Sequence, residues 1–392
     1  MTNEDLRREV NDWLAAHWRA PGTIIQSMWE TNAETRAWHT KVFEARWSVP
    51  SWPVEWFGRG LDDEQTNIVI EAFAQVGAPG TGQDRFNLPA NTLLAAASDE
   101  LKLTLIPGLL KKDITTCLLY SEPSAGSDLA GVRTRAERDG DRFIVNGQKV
   151  WTSGATVADY GMLICRTDWD VPKHSGLSFF FLPMKQAGVE VRPLRQITGE
   201  AHFNEVFFTD AVVPASHLVG GLNRGWRVLQ TALAYERSSM GARARGSRHG
   251  AADDLVALAR AAGRLDDPLL RQDIARTVAL RRLNTLNNAR AKAELEQGTS
   301  SSIMSLGKLA MSRILHEEAR VRTAIIGVES LLAGETQPTA DDVNFLALNA
   351  YFTSIGGGTD QIQKNIISER VLGLPREPEL DRNIPFKQVR SG

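Results

Sequence analysis

The sequence predicts an α+β protein with segregated layers: an N-terminal helical domain over residues 1–115, a middle antiparallel β-domain over 116–222 and a C-terminal helical region over 223–392. Three observations predict it. Apolar residues recur at helical spacing through both ends of the chain. Near residue 115 the pattern changes to short Val-, Ile-, Phe- and Thr-rich segments bounded by turns, and near residue 225 the helical period returns.

The first helix is expected in "NEDLRREVNDWLAAHW", with Asn3 as its cap and Leu6, Val10, Trp13 and Leu14 on one face. Seven of the ten tryptophans fall between Trp13 and Trp56, which reads as helix packing and domain contacts. "VPSWPVEWFGRGL" is a Pro- and Gly-broken loop, and helical patterning resumes from about Asp62. "TTCLLYSEP", "RTRAERDGDRFIVNGQKVWTSG", "GMLICRTD", "SGLSFFFLPM" and "NEVFFTDAVV" read as strands. Within them Asp139-Gly140 and Asn146-Gly147 are hairpin signals, because such turns need positive φ. From "GWRVLQTALAYERSSMGARARG" onward the helices are interrupted at "GRLDDP" and "AGETQPTADD".

Composition narrows the function. The 392 residues carry 45 Lys+Arg against 47 Asp+Glu, so no global field attracts nucleic acid or anionic membrane. Cys117 and Cys165 are the only cysteines, which excludes a disulfide framework and a Cys-based zinc site. The histidines lack metal-ligand spacing, so no metal is expected. There is no GxxxxGK[ST] loop, and the clusters "GAPGTG" and "GGLNRG" do not fit GxGxxG in a βαβ context. The basic run "RARGSRHG" reads as solvated surface or phosphate contacts. No apolar run spans a bilayer and "MTNEDLRREV" is no signal peptide, so the default expectation is a cytoplasmic protein.

Two segments carry chemistry. In "LLYSEPSAGSDLAG" a strand runs through Tyr120, Ser121 and Glu122 into a turn of Pro123, Ser124, Gly126 and Ser127. Such a turn exposes backbone N–H groups and hydroxyls together, which suits a polar or anionic ligand, although a plain strand-to-loop junction has the same letters. "GQKVWTSGA" sets a Trp beside two hydroxyl residues, an arrangement that stacks an aromatic ligand or else supplies a core Trp. A third stretch, "SIGGGTDQIQKNIISERVLG", places Gly356, Gly357 and Gly358 against a helix-patterned run. Three glycines suit close approach of a ligand to the backbone, or a hinge.

"YSEPSAGSDLAG", "NGQKVWTSGA", "WPVEWFGRG" and "GGGTDQIQKNIISERVLGLPRE", in this order and spacing, resemble the acyl-CoA dehydrogenase family over nearly the whole chain. The resemblance implies that family's fold, with the C-terminal region a four-helix bundle, and a non-covalent FAD. It would place Leu118, Tyr120 and Ser121 along the flavin's pyrimidine side and Ser127 at its pyrophosphate or the substrate. Trp151 would lie against the isoalloxazine and Ser153 near its N5 edge, with Thr359 and Gln361 at the adenosine half, often across a subunit boundary. Ser121 and Ser153 stand where Thr is frequent, and both keep the hydroxyl.

The family reaction removes an α-proton and a β-hydride from an acyl-CoA thioester. Many members carry the base immediately before the C-terminal Gly-Thr, where this chain has Gly357. In "GWRVLQTALAYERSSMG" Trp226, Leu229, Leu233 and Met240 form a helical stripe, and Glu236 lies on it. An inward carboxylate there is desolvated, which raises its pKa towards that of a general base. Some family branches resemble this, with Glu followed by Arg on that helix, as in Glu236-Arg237. Pairing of Glu236 with a surface cation is the bland alternative. With the base at Glu236, Gly357 and Gly358 leave room for the thioester, the N–H of Gly357 serves its oxygen, and Arg237 lies nearby. Thr359 would cap the following helix.

The usual arginine-bearing "RxxFGxPI" segment is replaced by "ARAAGRLDDPLLRQD", with Arg260 or Arg264 as substitutes for its Arg. Expected partners are an acyl-CoA, an electron-transfer flavoprotein, and either further copies of this chain or a related chain in a heterotetramer. The rival expectations are a non-catalytic partner subunit and an acyl-CoA oxidase.

Overall fold

The computed structural model describes residues 2–19, 24–25, 27, 30–243, 252–297, 304–379 and 381–389; within helices, the side chains of 236–243, 252–253, 292, 295–296 and 304–305 lie outside the description. It divides into two units, one of residues 1–195, 201–240 and 380–392, the other of 196–200 and 241–379.

The first unit begins with α1 (Asn3–His17), α2 (Ala33–Glu44), α3 (Asp63–Gln75), α4 (Gln83–Phe86), α5 (Leu88–Ala96) and α6 (Asp99–Leu110). The cap of α1 is Thr2, not Asn3. Its hydroxyl accepts from Asp5 N at 3.1 Å while the Asp5 carboxylate accepts from Thr2 N at 3.4 Å, a closed capping box that Asn3 cannot make one residue later. Leu6, Val10 and Leu14 are buried with Trp38, Trp47 and Phe73, so these tryptophans are core.

The sheet contains β1 (Thr116–Leu119), β2 (Arg135–Asp139), β3 (Arg142–Ser153), β4 (Tyr160–Arg166), β5 (Leu177–Pro183), β6 (Val189–Leu194), β7 (Phe203–Pro214) and β8 (Leu218–Val219). The spatial order is β6-β7-β3-β2-β4-β5-β8, with β1 beside β4. Pairing is antiparallel except at β1–β4 and β2–β4, which run parallel, so the layer is mixed where antiparallel pairing was expected. The long connections between these strands allow parallel pairing, which a tight hairpin forbids. In β5, Phe179 and Phe181 face a cluster shared with the helices, while Phe180 and Leu182 face Val206 and Phe208.

The two turn signals separate. Asp139 and Arg142 are paired ends of a true hairpin, with Gly140 at φ +62°. Asn146-Gly147 makes no turn and lies inside β3 at a register shift. Asn146 instead exchanges side-chain bonds with Asp210 across to β7, at 2.9 and 3.0 Å. A Cβ on Gly147 would stand 2.5 Å from Thr134 Oγ1, so the glycine answers a close approach.

After β8 comes α7 (Gly225–Arg243), whose first four turns belong to this unit. The second unit holds α8 (Ala252–Ala261), α9 (Pro268–Glu296), α10 (Met304–Ile326), α11 (Pro338–Ile355) and α12 (Asp360–Ile366). α10 packs against the other four. Leu255, Leu270, Ile274, Val321, Ile325 and Val343 form their core. Glu318 and Arg322 are buried there, with Arg281 and Asp254 as further ionic partners. Among the described residues, no helix is long and apolar enough to cross a membrane, and no cluster of His, Cys, Asp and Glu has a metal-binding arrangement.

Candidate active site

Among the described strands, β1 pairs in parallel with β4. Leu119 points into the sheet core and Leu118 to the opposite face, by the alternation of a strand. Tyr120 is buried against Phe179, ring centroids 6.1 Å apart. Ser121 O accepts from Val150 N at 2.9 Å, which joins the end of β1 to β3. The chain then turns through Glu122–Ala125, whose backbones bond each other reciprocally at 3.0 Å, leaving Ser124, Gly126 and Ser127 exposed.

Trp151 is no core residue; it is 55% exposed. Between the pairs Lys149–Val206 and Thr152–Asn204, β3 carries one residue more than β7, a β-bulge. The bulge holds Trp151 at φ +61°, a left-handed backbone costly for an aromatic residue, and its indole projects edge-on to Phe203 at 5.9 Å. Thr152 is buried while Ser153 is half-exposed beside the indole. A projected indole and the hydroxyls of Ser121, Ser127 and Ser153 are a stacking face and donor set that fit a flavin.

Sequence reasoning missed what fastens these segments. Lys149 is fully buried and donates to Glu122 Oε1 at 2.8 Å and to Tyr120 O at 3.0 Å. Glu122 also accepts from the backbone N–H groups of Arg133 and Thr134 at 2.6 and 2.9 Å. Burial works to raise the Glu122 pKa, but the Lys149 charge and these donors overcome it and hold the carboxyl below its ordinary value. The legible signal was a lysine on the inward parity of a strand, in step with Phe143 and Val145. Cys117 and Cys165 are buried, each thiol pushed by burial up to about 12, so neither is a nucleophile at neutral pH.

On α7, Val228, Leu229 and Ala232 are buried in the cluster that holds Tyr120, Met162 and Phe179, with Trp226 and Leu233 packed on its margin. Glu236 and Arg237 lie within this helix, and their side chains are outside the described residues. Position 236 is seven residues beyond Leu229, the same helix face to within about 20°.

In the second unit α11 ends at Gly356, and Gly357 and Gly358 follow at φ +67° and +93°. Gly357 is exposed, and a Cβ on Gly358 would meet Gln363 Nε2 at 2.9 Å. Thr359 caps α12, its hydroxyl accepting from Ile362 N at 3.1 Å. α12 is short and passes into a π-turn over Ile367–Val371. Gln361 is exposed. Both flanks of the glycines are tied to one stripe of α10 at i, i+4 and i+8. Lys308 and Ser312 donate to Asp360 Oδ1 at 3.1 and 2.8 Å, Ser312 Oγ also lies 3.1 Å from Thr353 O, and His316 Nε2 meets Ser354 Oγ at 2.7 Å. Arg264 is engaged at the α8–α9 corner by Asp267 and the Ala324 carbonyl, while Arg260 is exposed.

The order of helices, a mixed sheet and helices again is the one expected from the family resemblance. The N-terminal, middle and C-terminal domain models of acyl-CoA dehydrogenase match residues 2–113, 117–211 and 223–372. The chain is 36% identical over 393 residues to acyl-CoA dehydrogenase IpdE1 of Mycobacterium tuberculosis, covering 95% of this chain and 98% of that one. It is 35% identical to FadE34 of the same organism over 84% of this chain and 45% of that protein. Among solved structures, the Tcur3481-Tcur3483 steroid ACAD superposes with a TM-score of 0.71 at 28% identity, covering 96% of this chain and 98% of that chain. The ChsE4-ChsE5 complex from Mycobacterium tuberculosis gives 0.66 at 26%, over 96% and 98%. The chain belongs to the acyl-CoA dehydrogenase family. It is therefore an oxidoreductase acting on acyl-CoA thioesters, and membership implies a flavin cofactor.

Proposed function

We propose that this protein binds FAD and dehydrogenates an acyl-CoA between Cα and Cβ, with Glu236 taking the α-proton. The observation that carries the assignment is the buried face of α7. Leu229 and Ala232 pack into the cluster containing Tyr120, and position 236 continues that face while Gly357 has no side chain to act as base. A bound flavin supplies the hydride acceptor. In this reading Leu118, Tyr120 and Ser121 border its pyrimidine side, Trp151 stacks on it with Ser153 at its edge, and Ser127 reaches the pyrophosphate or the substrate. Thr359 and Gln361 serve the adenosine half. The open backbone of Gly357 and Gly358 admits the thioester, the Gly357 N–H stabilises charge on its oxygen, and Arg237 adjoins the same site. The domain division at 1–115, 116–222 and 223–392 accompanies this reading, with an electron-transfer flavoprotein as the acceptor.

The test is anaerobic bleaching of flavin absorbance by a panel of acyl-CoAs, in wild type and Glu236→Gln. Because the structural relatives include a steroid ACAD, steroid-derived thioesters head the panel. The variant should stay yellow and bleach about 10²–10⁴-fold more slowly. A yellow variant that bleaches at the wild-type rate would sink Glu236 as the base.

A second reading, a chain working within a heteromeric assembly, is favoured by one feature. Tyr351, Ile355 and Leu372 expose large apolar side chains in the second unit, and two of the structural relatives are two-chain complexes. A wild-type chain that is colourless alone and gains FAD only with a second protein would select it.

A further inference from the structure

Arg166, at the end of β4, is fully buried. Its guanidinium is fastened by carbonyls: Nη2 donates to Ala130 O at 2.6 Å, Nη1 to Lys173 O at 3.0 Å and Nε to Val132 O at 3.2 Å. Its backbone N–H donates to Thr134 O at 2.7 Å. Burial lowers its pKa to about 10, so it remains a cation at neutral pH. The face of this cation is covered from far along the sequence. The Phe386 ring, itself buried, lies 3.5 Å from Arg166 Cζ and 4.9 Å from Arg133 Cζ, and tilts against Trp169 at 5.5 Å.

The rest of the tail is docked on the same place. Phe386 N donates to Val171 O at 2.9 Å and Lys387 N to Trp169 O at 3.0 Å. Arg133 Nη2 donates to Val389 O at 3.2 Å. Lys173 bonds Asp128 Oδ2 at 3.1 Å and lies 3.7 Å from Asp381. The stretch Asp128–Thr134, which directly follows Ser127, is thus held by Arg166 and Lys173, and both are covered by the C-terminal tail.

We propose that the C-terminal tail, through Phe386 over Arg166, is a positioning element for the Ser124–Arg133 turn and so for the ligand-facing Ser127. The inference rests on the flavin reading of that turn. A ring over the guanidinium keeps water from competing for its donors, and two carbonyls of that turn, Ala130 and Val132, then have a single rigid partner. Without the ring the cation is hydrated and the turn loses its reference point, so a ligand that needs it ordered must supply the ordering itself.

The test compares full-length wild type, Phe386→Ala and Phe386→Tyr, the last keeping the ring face. Hydrogen exchange is read on flavin-free protein and FAD affinity by titration. Phe386→Ala should speed amide exchange over residues 124–133 at least about tenfold, with the amides of α1 and α3 unchanged. It should weaken FAD binding by about tenfold, and Phe386→Tyr should restore both. Should Phe386→Ala not fold, Phe386→Leu, which fills the space without a ring face, gives the same readouts. Unchanged exchange over 124–133, or faster exchange with unaltered FAD affinity, would overturn the proposal alone. A wild type that binds no FAD under any condition would overturn the flavin reading and this inference with it.

Discussion

Replacing Lys149 by Met tests whether a buried ion pair locks the two segments that frame the candidate flavin face. The change removes an ammonium that lies 2.8 Å from Glu122 Oε1 and 3.0 Å from Tyr120 O. Glu122 keeps its bonds from Arg133 N and Thr134 N, so a buried carboxylate is left with two backbone hydrogen bonds and without its ion-pair partner. Breaking one side of a buried pair costs about 3–5 kcal/mol. At about 2–4 °C per kcal/mol for a unit of this size, the thermal midpoint should fall by roughly 6–20 °C. The assay is thermal unfolding of flavin-free protein by circular dichroism at pH 7. Adding Glu122→Gln to the Lys149→Met variant should recover at least about half of the loss, since the orphaned charge is then gone. A Lys149→Met midpoint within about 2 °C of wild type, or no recovery in the double variant, would refute the reasoning.

The same pair sets a pH dependence. Glu122 has a folded-state pKa below its unfolded value of 4.5, so its contribution is present above that value and is lost as pH falls through the folded pKa. Removing Lys149 takes away the largest influence that holds the carboxyl down, so its folded-state pKa should rise and protonation should partly relieve the variant. The gap in midpoint between wild type and Lys149→Met should therefore narrow between pH 7 and about pH 4; a constant gap would count against the pair. Trp151→Ala removes an indole that is 55% exposed and relaxes a left-handed backbone very little, so stability should change by less than about 1 kcal/mol. FAD affinity should nevertheless fall, and a variant with wild-type affinity would remove Trp151 from the flavin face.

Much of this protein is determined by its sequence alone. The change of hydrophobic period near residues 115 and 225 marks the order of helices, sheet and helices, because period is a local property of the chain. Four motifs in register were enough for the family. Glycine at position 357 together with a glutamate on the α7 stripe raises the expectation of a displaced base, which the Glu236→Gln comparison tests. Tertiary structure decided the rest. Asn146-Gly147 has the letters of a hairpin, yet Thr134 and Asp210, distant in sequence, turn it into a strand irregularity. The exposure of Trp151 depends on a bulge, which is a mismatch between two strands and has no signature in either one. Lys149 with Glu122, the α10 stripe behind the glycines and Phe386 over Arg166 join residues 27 to 220 positions apart. Each matters because burial makes a polar group depend on its particular partner, and only the fold chooses that partner.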